Sequence, residues 1–106
     1  MSYCKKDLTI RLSDLPEEEG APCFMDVGYF TDQDTGNSAQ TMLTLSDVGG
    51  ACINLYIKNK YKEHEVVKIE DVDSITVEFY GSVERSEFLR GLQMILAAEK
   101  ITEILT

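Results

Sequence analysis

Apolar and polar residues take turns along the first eighty positions of this chain, and beyond Gly81 the period becomes that of a helix. Leu8, Ile10 and Leu12 alternate with Thr9 and Arg11, as in a strand with one covered face. Over 23–30, Cys23, Met25, Val27 and Tyr29 share one face and Phe24, Asp26, Gly28 and Phe30 the other. Over 39–45 the apolar set is Leu43 and Leu45, with Thr41 beside them. Ile53, Leu55 and Ile57 continue the pattern over 51–58, a short run follows at 66–69, and Ile75, Val77 and Phe79 mark a last strand over 75–80. Phe88, Leu89, Leu92, Ile95 and Leu96 then form one helical stripe. Met94, Ala97, Ala98, Ile101 and Leu105 drift onto another side, so the helix either continues to about Ile104 or gives way to a short strand over 101–106. The longer helix is the expectation.

The intervening residues have turn chemistry. Pro16 and Pro22 bracket an acidic loop that contains Glu17, Glu18 and Glu19. Residues 31–38 form a polar turn whose Asp and Asn side chains can bond their own backbone. This turn begins like a calcium loop, but Gly36 stands where a ligand is needed and Leu43 where a bidentate Glu belongs. Gly49-Gly50 reads as a tight hairpin turn between the strands at 39–45 and 51–58. Gly28 marks a bulge or a close approach, Gly91 lets the helix near a strand, and Ser82 is the expected N-cap.

These elements predict an α+β fold in a single domain, 1–106, with about six strands within 8–80 in a mainly antiparallel meander. One long C-terminal helix, about 83–104, packs on one face of the sheet. The connections are too short for helical crossovers, which excludes a parallel sheet.

Charge changes the functional picture more than the fold. Nineteen acids face ten Lys and Arg, for a net charge of −9. Between Leu12 and Ile57 there is no base at all. Direct binding to nucleic acid or an anionic membrane is disfavoured, because phosphate contacts supply most of such affinity. A basic protein partner is favoured. The candidate partner-binding residues are Asp14, Glu17, Glu18, Glu19, Asp32 and Asp34. No apolar run is long enough to span a bilayer, and the two N-terminal lysines are not followed by a signal-like apolar segment. Three cysteines without CxxC spacing point to reduced thiols in a cytoplasmic protein, with Cys23 and Cys52 as small buried apolar residues.

Catalysis and cofactors are argued against by what is missing. The single histidine, His64, lies between Glu63 and Glu65, which direct it to solvent rather than to a nucleophile. Cys and His residues are too scattered for zinc. The expected protein is therefore a non-enzymatic, cofactor-free binding module of the acidic inhibitor, immunity or nucleic-acid-mimic kind. The alternative is an assembly subunit that forms a homodimer through the helix or an edge strand, with Met94, Ile101 and Leu105 as self-association residues.

Overall fold

The computed structural model describes residues 7–60 and 65–99. The architecture is α+β: a four-stranded antiparallel sheet, a separate two-stranded sheet, and one long C-terminal helix packed against the larger sheet. The strands are β1 (Leu8–Arg11), β2 (Met25–Thr31), β3 (Gln40–Asp47), β4 (Leu55–Lys58), β5 (Val66–Ile69) and β6 (Ser74–Tyr80), and α1 is Ser82–Glu99. Residues 100–104 of the expected helix lie outside the described residues, as does the alternative strand at 101–106.

The first three strands meander, and β6 then returns beside β3, giving the order β1-β2-β3-β6. The β4–β5 hairpin is an insertion between them. Its base is held by Val72 N–H to Ile53 O at 2.9 Å and Asp71 N–H to Asn54 Oδ1 at 3.2 Å. The expected hairpin across Gly49-Gly50 does not form. Instead the Asp47 carboxylate accepts the N–H groups of Gly49 (3.2 Å), Gly50 (2.9 Å) and Ala51 (2.9 Å), while Asp47 N–H donates to Asp73 O (2.8 Å). The turn thus bends the chain off the sheet, and β6 takes the place beside β3. Gly49 is required for a different reason: a Cβ there would sit 1.9 Å from the Cys23 carbonyl oxygen.

Face assignments follow the alternation. Val27, Tyr29, Leu43, Leu45, Ile75 and Phe79 are half-buried on the side of α1. Phe88 joins the layers, with its ring 6.3 Å from that of Tyr29 and 5.4 Å from that of Phe79. Burial pushes the Tyr29 hydroxyl pKa up, and the nearby Arg85 charge partly opposes this.

Several local expectations are corrected. Gly28 is in continuous register between Arg11 and Thr44, with no bulge, and a Cβ there would meet only ordinary contacts. Among the described residues nothing lies within 4 Å of a Cβ at Gly91, so no described strand closely approaches the helix there. Cys23 and Cys52 are exposed free thiols, because Cys23 precedes β2 and Cys52 precedes β4 rather than pointing into a sheet. Ser82 does not cap its own helix; its hydroxyl accepts Gly36 N–H (3.2 Å), and its N–H donates to Gly36 O (3.0 Å).

Candidate interaction surfaces

The six acidic candidates fall into two groups. Asp14 ends a 3-10 turn at Leu12–Asp14, and Glu17–Glu19 form a second such turn. All four side chains are exposed. This segment is moored by Asp26, whose Oδ1 accepts Ser13 N–H at 2.9 Å.

Asp32 and Asp34 lie at the other end of β2. Seven residues of strand separate the two groups, roughly 23 Å at the usual rise. The structure therefore does not bring the six carboxylates together on one surface. Asp32 also has internal work: its carboxylate accepts Asp34 N–H (2.8 Å) and Gln40 N–H (3.1 Å), closing the loop. Arg85 reaches the same loop from α1, donating to Thr31 Oγ1 (3.0 Å) and the Asp34 carbonyl (2.8 Å).

The sheet face away from α1 is polar. Arg11, Asp26, Gln40, Thr44 and Ser46 border a shallow depression of about 600 Å³ around Phe30 and Met42. Thr44 and Thr76, and Ser46 and Ser74, are paired hydroxyls across β3 and β6. Glu78 accepts from Gln40 and from the Tyr80 hydroxyl, and this bond to the carboxylate raises the Tyr80 pKa. Among the described residues, no cluster of three or more His, Cys, Asp or Glu could hold a metal ion. His64 lies outside the described residues.

The helix carries an exposed apolar surface. None of the 18 residues of α1 is buried. Phe88 and Leu96 are half-covered, but Leu89, Leu92 and Ile95 of the same stripe are exposed, Ile95 at 59%. Met94, 70% exposed, lies with Val83 on the opposite side of the helix. Ile101 and Leu105 lie outside the described residues. Among described apolar side chains, only Ala39 and Ile53 are buried.

A further surface was not singled out by alternation alone. Beyond β6 no described strand follows, so among the described residues its outer edge has no partner strand. It is seven residues long, contains no Pro, Gly or Lys, and keeps unbroken register with β3. These are the devices that normally blunt an exposed edge. The other edge strands use them more: β1 has four residues and ends in Arg11, and β4 and β5 each carry a Lys, whereas β6 has the single charge of Glu78.

Comparison with protein-family models, with curated proteins and with solved structures returns no match. No helix among the described residues is long and apolar enough to cross a membrane.

Proposed function

We propose that this protein is an assembly subunit: a non-enzymatic binding module whose apolar surface is covered by a second copy of the chain. The observation that carries this reading is α1, in which no residue is buried although five apolar residues share one stripe. Full burial of a Leu, Ile or Phe side chain contributes about 1.5–3 kcal/mol. Much of that stabilisation is unrealised in the isolated chain and becomes available when another apolar surface covers the stripe. Free thiols at Cys23 and Cys52 support a reducing, cytoplasmic setting. Sedimentation equilibrium at tens of micromolar tests the reading. A dimer is expected, weakened by Ile95→Glu; a monomer of unaltered mass in both proteins overturns it.

A second reading rests on Asp14 and Glu17–Glu19, an exposed acidic group carried on consecutive 3-10 turns. That group is a docking point for a basic protein partner, in the manner of an inhibitor or immunity protein. Reversing Glu17, Glu18 and Glu19 to Lys should abolish the capture of basic proteins that wild type retains. Capture that is insensitive to salt between about 50 and 500 mM contradicts an electrostatic contact.

A further inference from the structure

The backbone of β6 specifies how a second copy would dock. Asp47 N–H donates to Asp73 O, and Gly81 N–H donates to Ala39 O, both at 2.8 Å. Both bonds join residues directly opposite in the β3–β6 register, so they set the alternation of hydrogen-bonded pairs along the ladder. Ile75, Val77 and Phe79 direct their N–H and C=O groups to β3. Ser74, Thr76, Glu78 and Tyr80 direct theirs outward, where no described strand receives them.

From this geometry, and resting on the assembly reading above, we infer that the protein dimerises through antiparallel pairing of β6 with β6 of a second copy, the two-fold axis passing at Val77. Val77 is the midpoint of the strand. In this register Ser74 faces the second copy's Tyr80, and Thr76 faces its Glu78. All four outward-directed residues then sit in hydrogen-bonded pairs, and the two four-stranded sheets become one sheet of eight. On the helix side, Ile75 meets Phe79 and Val77 meets Val77, pairings of β-branched and aromatic residues that stabilise sheets. Val77 is 49% exposed in the lone chain, so the centre of this strand is uncovered.

Neighbouring registers fail on specific grounds. A shift by one residue sets outward-directed groups against groups already bonded to β3, and it places polar side chains opposite apolar ones. An axis at Glu78 sets two Glu78 carboxylates opposite each other. An axis at Thr76 sets Phe79 against Asp73. The helix follows β6 directly and packs against it, so this axis places the α1 helices of the two copies on the same face of the joined sheet.

The test is a single introduced thiol in a chain whose Cys4, Cys23 and Cys52 are replaced by Ser. Directly opposed residues in a non-hydrogen-bonded pair have Cα atoms about 4.5 Å apart, within reach of a disulfide. Val77→Cys should therefore give a covalent dimer on mild oxidation. Thr76→Cys and Glu78→Cys should not, because each then lies diagonal to its own copy, about 7–8 Å away. Thr76→Pro removes one outward N–H without touching the β3 ladder and should yield a folded monomer. A dimer by sedimentation that Val77→Cys cannot link overturns the β6 interface and leaves the assembly reading standing. A monomer overturns both. Linking at Glu78→Cys in place of Val77→Cys overturns the register. A full-length chain that fails to link through Val77→Cys while a chain truncated after Lys100 links assigns the edge to the chain's own C-terminal segment and overturns the proposal.

Discussion

Arg85→Ala should loosen the junction between α1 and the 32–38 loop. Arg85 Nη1 donates to Thr31 Oγ1 at 3.0 Å and Nη2 to Asp34 O at 2.8 Å, and Thr31 is 3% exposed. A hydrogen bond from a charged donor contributes about 1.5–3 kcal/mol. Two such bonds set the ceiling, but the loss is softened on both sides. The Asp34 carbonyl can regain water, and Thr31 Oγ1 keeps the Gln33 N–H at 3.0 Å. The net cost should be about 2–3 kcal/mol. For a domain of this size that lowers the thermal midpoint by roughly 10–20 °C. Denaturation must be compared at one protein concentration, because the stability of an assembly depends on it. Arg85→Lys keeps the charge without the planar fork and should recover less than half of the loss. A second readout is independent of stability: the Arg85 charge opposes the burial that raises the Tyr29 pKa, so Arg85→Ala should move the Tyr29 titration further up. If Arg85→Ala unfolds within about 0.5 kcal/mol of wild type and Tyr29 does not move, the clamp does not exist as described.

Three further outcomes follow from the geometry. Gly49→Ala places a methyl group 1.9 Å from the Cys23 carbonyl oxygen and should cost about 1–3 kcal/mol in chemical denaturation, with an unchanged midpoint contradicting the close approach. Thr41 is fully buried and its hydroxyl has no partner among the described residues, so Thr41→Val should raise stability by about 1 kcal/mol or more; destabilisation would mean the hydroxyl is satisfied. Asp47 is held below the usual carboxylate pKa, chiefly by the Gly50 and Ala51 N–H groups. Its contribution is thus present above the unfolded-state value of about 4 and is lost as pH falls through the lower folded value. The stability gap between wild type and Asp47→Asn should close over that acid range, and a gap that is constant with pH contradicts the cap.

Alternation made the strands and the helix legible, because faces are a local property of the chain. Val27, Tyr29, Leu43, Ile75 and Phe79 are on the side that their period assigns them. Neighbours are not local. Gly49-Gly50 has the composition of a hairpin turn, yet the Asp47 carboxylate binds the turn amides and β6, some thirty residues on, claims β3. Ser82 has a capping side chain by type and is used across the loop–helix junction instead, while Asp32, a partner-binding candidate by type, also closes its own loop. Charge counting identified the acidic residues but not the length of β2 that separates them. That β6 has no described partner on its outer edge follows from strand order, which residues 74–80 alone do not encode.

Residue-resolved amide exchange in β6 tests the central claim most directly. Ile75, Val77 and Phe79 should be protected through β3 whether or not the chain assembles. At tens of micromolar, Thr76, Glu78 and Tyr80 should be protected as well, and dilution below the dissociation constant should release them while the other three hold. Fast exchange at Thr76, Glu78 and Tyr80 at every concentration, beside a protected Val77, would contradict a second copy on this edge.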